Sequence, residues 1–354
     1  MIAAAGRRNA AHVAAGRTEF VVAPPKLVRG TGSPSRVLAL VAAGTGVSAR
    51  WCRMARMKLR DIYAQPGKTF SVEFFPPKDE AGVARLFAEV EQLRKLNPAF
   101  CSVTYGAGGS TEGTTLEVVK RLHDEAGLEV MCHLTVVNQP KSRVRGVLEY
   151  LRDNGLENMI ALAGDPPAGS AELDWTPHPD GYSHSRELVE DALAFAPGFF
   201  SVAVAGFPEV HPRATSRESD LRYLKEKVEA GADVVVTQLF FDNDDYFRYV
   251  EDLHALGVDV PIVPGMLPIQ SAAQCRRFAA MCGSRIPASL DAQLTLVEDD
   301  PDGAVQLGID HTTRQCEGLL EFGVPGFHFY SLNRSRSVAA IFENLKLQTL
   351  AAAG

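Results

Sequence analysis

The residue with the clearest chemical potential is Glu73, a carboxylic acid inside the apolar sequence Val-Glu-Phe-Phe. Removing a carboxyl group from water penalises its charged form and raises its pKa. A carboxyl group with a raised pKa suits the donation of a proton to a substrate. The sequence therefore predicts that Glu73 is a general acid. The alternative is a solvated carboxylate at the end of a strand.

Other polar residues also stand within or at the ends of apolar runs, and each has a structural alternative. Asp165 lies between Gly164 and Pro166, where a turn-forming aspartate is also expected. His133 is a lone histidine in an apolar run, and Gln238 could bond to the backbone at a strand end. Histidine spacings typical of a metal site and the nucleophile motif Gly-x-Ser-x-Gly do not occur. One candidate acid among uncharged polar and aromatic groups favours a site where a bound cofactor carries the difficult step.

These residues follow a regular alternation of strand-like and helix-like segments. From residue 68 onward, eight short runs rich in β-branched and aromatic residues alternate with longer segments of helical periodicity. The predicted strands are Thr69–Phe74, Phe100–Tyr105, Glu129–Leu134, Asn158–Leu162, Phe199–Val204, Val234–Gln238, Ile262–Met266 and Gly326–Tyr330. Eight such units predict an α/β fold, a single (β/α)8 TIM barrel, in which chemistry lies at the C-terminal ends of the strands.

The predicted helices lie between these strands. They include residues 82–96, 114–126, 141–154, 184–194, 217–230, 244–256 and 271–281. The stretch Pro287–Gly303 is expected to be an irregular or helical insert before a helix at Ala304–Phe322. Met57 is expected to lead directly into the first strand.

Residues 1–56 differ from the rest of the chain in charge. They contain nine Arg or Lys residues and one acid, a balance of +8, whereas residues 57–354 contain 27 basic and 42 acidic residues, a balance of −15. We expect the first segment to be a basic extension with little order, and residues 57–354 to form the catalytic barrel. The extension could be a transit peptide, a basic arm for an acidic partner, or sequence upstream of a start at Met54 or Met57.

The composition narrows the class of protein. The chain has 354 residues, a formal net charge of −7 and six cysteines, and no two cysteines form a Cys-x-x-Cys pair. This cysteine usage fits a reducing cytoplasm. The longest apolar run, Val37–Val47, is too short to span a membrane. The acidic body disfavours nucleic acid as a ligand.

Eight motifs occur in the same order as in the methylenetetrahydrofolate reductase family, which this chain resembles from about Thr69 to about Leu350. The motifs are Ser71–Pro77, Ser102–Ala107, His133–Thr135, Leu162–Asp165, Pro208–Pro212, Thr237–Gln238 with Phe240–Asp242, Pro264–Pro268 and Phe327–Arg334. Because the chain ends soon after the barrel, it resembles the short bacterial form, which has the catalytic barrel alone. A pterin-binding synthase or methyltransferase without flavin, and a non-catalytic partner protein, are the alternatives.

The resemblance implies a barrel that binds FAD and takes hydride from NADH or NADPH. It implies ping-pong reduction of 5,10-methylenetetrahydrofolate to 5-methyltetrahydrofolate, with Glu73 as the general acid that protonates folate N10 and Asp165 as a second catalytic residue. A homo-oligomer is also implied. The implied substrate contacts are Asp165, Gln238, Gln274, Phe278 and Arg334. The implied FAD contacts are Thr104, Tyr105, Ala107, His133, Gly164, Asp165, Phe207, His211, Ala214, Asp220 and Lys227.

The chain departs from the family pattern at three positions near the implied cofactor. Ala163 stands where relatives often carry Arg, and Phe207 stands where some relatives place Tyr. Glu226 stands where a basic residue could contact phosphate. These departures concern the tail of the cofactor rather than the reacting centre.

Overall fold

Eight parallel strands close into one barrel in the computed structural model, which describes residues 57–77, 79–105, 112–165 and 177–346. The strands pair in chain order, and the last pairs with the first. Their bounds are β1 Thr69–Phe74, β2 Phe100–Val103, β3 Val130–Thr135, β4 Asn158–Leu162, β5 Ser201–Gly206, β6 Val234–Leu239, β7 Ile262–Met266 and β8 Gly326–Tyr330. The predicted (β/α)8 barrel is confirmed.

Helices surround the barrel, and none of those described combines the length and apolar character needed to cross a membrane. Their bounds are α1 Leu59–Tyr63, α2 Glu80–Arg94, α3 Glu112–Asp124, α4 Lys141–Asp153, α5 Ser185–Phe195, α6 Arg217–Glu229, α7 Asn243–Ala255, α8 Ala272–Cys282, α9 Ala288–Leu296, α10 Pro301–Phe322 and α11 Ser335–Asn344. The strands and helices predicted up to residue 281 begin and end within two residues of those observed.

The expectation that Met57 leads directly into the first strand was wrong, because α1 intervenes. Leu59 and Ile62 of this short helix are buried against inward-facing side chains such as Met131 and Val263. They close the N-terminal end of the barrel. Five residues are too few to show a helical period, so the sequence alone gives no signal for this element.

Hydrogen bonds to Asn158 hold α1 in place. The Leu59 N–H donates to Asn158 Oδ1 at 2.8 Å, and Asn158 Nδ2 donates to the Met57 carbonyl at 2.9 Å. Asn158 itself is fully buried at the start of β4. The amide thus satisfies backbone groups that would otherwise be buried without partners.

The insert after α8 is helical rather than irregular. It contains α9, and α10 begins at Pro301, three residues before the predicted start. The Asp300 side chain accepts a hydrogen bond from the Gly303 N–H at 3.0 Å, which caps the helix. Proline at the first helical position needs no hydrogen-bond donor, so this start is favourable.

Inward-facing side chains change character along the barrel axis. Successive residues of a strand point to opposite faces, so alternate residues line the interior. Apolar residues of several strands pack on α1 at the N-terminal end. Toward the C-terminal ends of the strands, called the mouth below, the buried inward residues are polar: Glu73, Ser102, His133 and His328. This is the end at which (β/α)8 barrels carry their active sites.

Candidate active site

The carboxyl group of Glu73 lies in a cluster of polar side chains from four strands. Its Oε2 is 3.3 Å from His133 Nε2 and 3.6 Å from His328 Nε2. Ser102 Oγ donates a hydrogen bond to the same oxygen at 3.4 Å. Only 6% of Glu73 and 1% of His328 are exposed. The structure thus places the predicted acid in a buried, polar and confined environment.

The charge state of Glu73 differs from the sequence prediction. Burial raises the pKa of the Glu73 carboxyl, but the attraction of His133 and His328 outweighs burial and lowers this pKa to about 2. The prediction of a raised pKa was wrong because the apolar neighbours of Glu73 lie along its own strand. The two histidines come from β3 and β8, which only barrel closure brings near. The structure therefore holds Glu73 as a carboxylate.

His328 is held at both ring nitrogens. Its Nδ1 lies 2.7 Å from Ser71 Oγ, and its Nε2 lies 3.2 Å from Ser102 Oγ. The Phe100 ring stacks parallel to the imidazole at 6.0 Å. Sequence reasoning placed His328 at the end of the eighth predicted strand but assigned no role to it or to the two serines, although all three lie within the family motifs. Polar residues at alternate positions of apolar strands, as in Ser-Val-Glu, were the available signal.

His133 Nε2 is buried and has no hydrogen-bond partner among the residues that the structure describes. Its contact with Glu73 is close enough for charge attraction but poorly directed for a hydrogen bond. A buried polar nitrogen without a partner is unfavourable unless a ligand satisfies it. Within the described ranges, no group of three His, Cys, Asp or Glu side chains is arranged to hold a metal ion.

The segment between β5 and α6 carries a neutral histidine. Burial, followed by the charges of Arg213 and Lys227, lowers the pKa of His211 to about 4. The Arg213 backbone N–H donates to His211 Nδ1 at 3.0 Å, and the His211 N–H donates to Asp220 Oδ2 at 3.0 Å. Because Nδ1 accepts, the neutral ring carries its proton on Nε2, which can donate to a ligand. The Phe207 ring packs edge-on at 4.3 Å.

Two basic side chains lie in the same region. Lys227 Nζ donates to the Ala205 carbonyl at 2.6 Å, and burial lowers its pKa to about 8 although Asp220 opposes this. Arg213 is half-buried and close enough to Asp165 for their charges to interact. Ser216 caps the N-terminus of α6, three residues after Arg213, whereas Lys227 lies in the last turn of the same helix. A basic side chain beside a helix N-terminus can bind a phosphate group.

Asp165 and Glu73 lie at the same end of the barrel. Asp165 follows β4, and Glu73 lies near the end of β1. Both carboxylates are close enough to influence the Cys282 thiol. Burial, followed by these two negative charges, raises the pKa of this thiol to about 12. Asp165 is exposed at the end of β4. Gly164 beside it has a φ of +88°, and a Cβ there would lie 2.6 Å from Val137 Cγ1. Only glycine fits this position without strain.

The remaining predicted residues are spread around the mouth. Gln238 Oε1 accepts a hydrogen bond from the Leu239 N–H at 2.8 Å, which is the structural alternative noted for it. Phe278 of α8 packs against the buried cluster that contains Leu239, as does Tyr330. The others are Thr104 and Tyr105 after β2, Ala214 in the turn after His211, Gln274 in the first turn of α8, and Arg334 at the start of α11. Ala107 lies outside the described residues.

Arg334 is exposed, and within the described residues no hydrogen bond or ion pair joins its side chain to the Glu73 cluster. Gln274 has a half-buried side chain, and its backbone N–H donates to Ser271 Oγ at 3.2 Å. The structure therefore brings Glu73 and His133 into contact, while Arg334 and Gln274 stand apart from them.

A family model described as methylenetetrahydrofolate reductase matches residues 58–346, which is most of the chain. The chain belongs to the methylenetetrahydrofolate reductase family. The resemblance drawn from the eight motifs is thereby confirmed. The matched range begins at α1 and ends just beyond α11, so it includes every strand of the barrel.

Relatives in this family share about a third of the sequence. The chain is 39% identical to methylenetetrahydrofolate reductase (NADH) 1 of Arabidopsis thaliana over 82% of this chain and 50% of the plant protein. It is 35% identical to 5,10-methylenetetrahydrofolate reductase of Escherichia coli over 78% of this chain and 90% of the bacterial protein. The chain thus spans about half the length of the plant methylenetetrahydrofolate reductases it matches.

A solved structure has the same fold at lower sequence identity. It is a protein of Clostridium thermocellum that binds two copies of 5-methyl-5,6,7,8-tetrahydrofolic acid. The TM-score is 0.55 and the identity 15%, over 82% of this chain and 98% of that one. This likeness concerns the barrel architecture.

Proposed function

We propose that this protein reduces 5,10-methylenetetrahydrofolate to 5-methyltetrahydrofolate in a ping-pong reaction, with FAD as cofactor and NADH or NADPH as reductant. Family membership and the match over 90% of the E. coli enzyme support the proposal. The observation that carries it is the buried carboxyl of Glu73 at the mouth of the barrel, where the segment after β5 is suited to hold a phosphate-bearing cofactor. A homo-oligomer and a cytoplasmic location belong to the same proposal.

The residues at the mouth fit FAD. Lys227 and Arg213 carry positive charge suited to its phosphates, and the N-terminus of α6 adds to it. His211 can donate from its Nε2–H, and among the described residues the buried Nε2 of His133 lacks a partner. Arg213 supplies positive charge near Asp165, close to the position where Ala163 replaces the arginine of many relatives. When bound, FAD supplies the hydride chemistry that protein side chains lack.

The chain's own residues hold the ligands and control charge. Gly164 lets the backbone beside Asp165 pack against Val137 and Thr135, because a Cβ at this position would lie 2.6 Å from Val137 Cγ1 and 2.8 Å from Thr135 Cβ. The Asp165 carboxylate disfavours further negative charge beside it, which would influence the reduction potential of a bound flavin. Gln238, Gln274, Phe278 and Arg334 are proposed to contact the folate.

Glu73 is proposed to protonate N10 of the folate. This protonation opens the imidazolidine ring and exposes an iminium carbon that accepts hydride. The burial of Glu73 places its proton in a site from which water is largely excluded, so the proton reaches the substrate rather than solvent. Because the structure holds Glu73 as a carboxylate, the carboxyl must receive a proton before it can donate one.

Purified full-length protein tests the proposal. FAD binding should give a yellow protein, and anaerobic NADH or NADPH should bleach it. Addition of 5,10-methylenetetrahydrofolate should then restore the colour and yield 5-methyltetrahydrofolate. A folded protein that takes up no FAD would contradict the proposal and favour a pterin-binding enzyme without flavin.

A further inference from the structure

The proposed reaction needs a proton that Glu73 does not hold in this structure. His328 Nε2 and Glu73 Oε2 are 3.6 Å apart, too far for a direct hydrogen bond. Ser102 Oγ lies between them, 3.2 Å from the histidine nitrogen and 3.4 Å from the carboxylate oxygen. A hydroxyl accepts one hydrogen bond while donating another, so Ser102 can link the two groups.

The other side of His328 fixes which nitrogen exchanges protons. Ser71 Oγ lies 2.7 Å from Nδ1 and can donate its own proton to the Phe327 carbonyl at 3.4 Å. The serine oxygen then accepts from the Nδ1–H. Nε2, which faces Ser102, is therefore the nitrogen that gains or loses a proton.

We propose that His328 stores the proton that Glu73 delivers, and that the hydroxyl of Ser102 transfers it. This inference rests on the proposed function. In the transfer, the Nε2–H bond breaks as that proton binds Ser102 Oγ, and the original Ser102 proton binds Glu73 Oε2. The products are a neutral imidazole with its proton on Nδ1 and a neutral carboxylic acid. No electrons are transferred in this step.

His328 regains its proton by the reverse path. After Glu73 has protonated a substrate, it is again a carboxylate. A proton from solvent binds it when the mouth is open and passes through Ser102 to His328. One proton enters and one leaves in each cycle, which matches the single proton that the proposed reduction consumes.

His328 suits this positioning role better than His133. His328 is 1% exposed and held at both nitrogens, so no ligand can reach it, whereas His133 Nε2 is unsatisfied and available to a cofactor. Other titratable groups surround the site, and burial raises the pKa of each, which keeps them neutral near pH 7. They are Tyr63 near Ser71, Tyr330 against the His328 ring, and Cys282.

The charge of His328 is the first test. In full-length protein with labelled histidine nitrogens, nitrogen NMR distinguishes an imidazolium from either neutral form, and His328→Asn identifies the signal. We expect an imidazolium at neutral pH in the wild type and a neutral ring in Glu73→Gln, which lacks the counter-charge. A neutral His328 in the wild type would overturn the proposal, whether or not the protein reduces folate.

The two half-reactions give the second test, on the FAD-loaded protein. Ser102→Ala should slow the oxidation of reduced FAD by 5,10-methylenetetrahydrofolate about 10²-fold, with little change in folate affinity. The reduction of FAD by the nicotinamide should keep its wild-type rate. Ser102→Thr, which restores a hydroxyl, should recover most of the rate. The wild-type proton inventory should show two protons in motion, and Ser102→Ala only one.

Ser201→Ala is the matched control, because Ser201 is a fully buried barrel serine that bonds Asp233 rather than the Glu73 cluster. It should leave both half-reactions unchanged. Equal slowing of both half-reactions by Ser102→Ala, or none of the folate step, would overturn the relay. Loss of FAD uptake or of nicotinamide oxidation in the wild type would instead contradict the proposed function.

Discussion

Glu73 Oε2 and His133 Nε2 lie 3.3 Å apart at the mouth, although their strands are separated by β2. The contact places a carboxylate that is 6% exposed beside an imidazole that is 8% exposed. Attraction between the two contributes to the low pKa of Glu73. The proposed acid is thus the ionised member of a buried cluster, and it must gain a proton before it can donate one.

The affinity for FAD should depend on the ionisation of Lys227. Burial lowers the pKa of Lys227 to about 8 in the protein without ligand. Above that pH the amine is neutral and must bind a proton before it can pair with phosphate. We expect the dissociation constant of FAD to rise with pH above this value, by up to about tenfold per unit. Titration by flavin fluorescence at several pH values measures it.

Lys227→Arg provides the control for this effect. Arginine stays protonated at every pH used. The affinity of the variant for FAD should therefore not fall at alkaline pH, even if it is lower than that of the wild type at neutral pH. An equally strong pH dependence in the arginine variant would rule out Lys227 as the source.

Gly164→Ala should destabilise the protein more than an alanine at an unconfined glycine. Both Gly164, at φ +88°, and Gly198, at φ +74°, adopt a left-handed conformation. A Cβ at Gly164 would lie 2.6 Å from Val137 Cγ1, whereas a Cβ at Gly198 has no neighbour within 4 Å. We expect about 1 kcal/mol for Gly198→Ala and a further 1–3 kcal/mol, roughly, for Gly164→Ala. Urea unfolding compares them, and equal losses would contradict the steric argument.

Leu59→Ala tests the closure of the barrel by α1. Leu59 is fully buried against the inward-facing residues at the N-terminal end. Its truncation should lower the free energy of unfolding by about 2–5 kcal/mol. The neighbouring Arg60 is exposed, with an ion pair to Asp233 at 3.7 Å, so Arg60→Ala should cost no more than about 1 kcal/mol. Similar losses in the two variants would show that α1 does not pack as described.

His211 should make stability fall in mild acid. The pKa of His211 is about 4 in the folded protein, against 6.5 for the ordinary side chain. As pH falls between these values, the unfolded chain binds a proton that the folded protein does not, so stability decreases. His211→Asn keeps an acceptor for the Arg213 N–H without titrating, and should flatten this part of the profile. His254→Asn, at an exposed site on α7, serves as the control. An unchanged slope in His211→Asn would refute the assignment.

Much of the fold could be predicted because alternation is a local property. Each strand has its own run of β-branched, aromatic or other apolar residues, and each long helix shows an apolar period, so eight units could be recognised without knowing how they pack. The short α1 could not be found this way. Its two buried residues, Leu59 and Ile62, are explained only by the barrel interior they fill.

The site could be predicted in position but not in charge. The rule that (β/α)8 barrels carry their active sites at the C-terminal ends of the strands identified Glu73, His133 and Asp165 as candidates. The ionisation of Glu73 depends on β8 pairing with β1, which places His328 in register with Ser71. That pairing joins the two ends of the barrel sequence. No local pattern around Glu73 contains it.

Glu73→Gln, measured by anaerobic stopped-flow in each half-reaction separately, tests the central claim most directly. The claim is that Glu73 acts only on the folate. The variant should accept hydride from NADH or NADPH at close to the wild-type rate, because that step needs no acid at N10. The oxidation of its reduced FAD by 5,10-methylenetetrahydrofolate should be slower than in the wild type by about 10²–10⁴-fold. Equal losses in both half-reactions, or a normal folate step, would contradict the account.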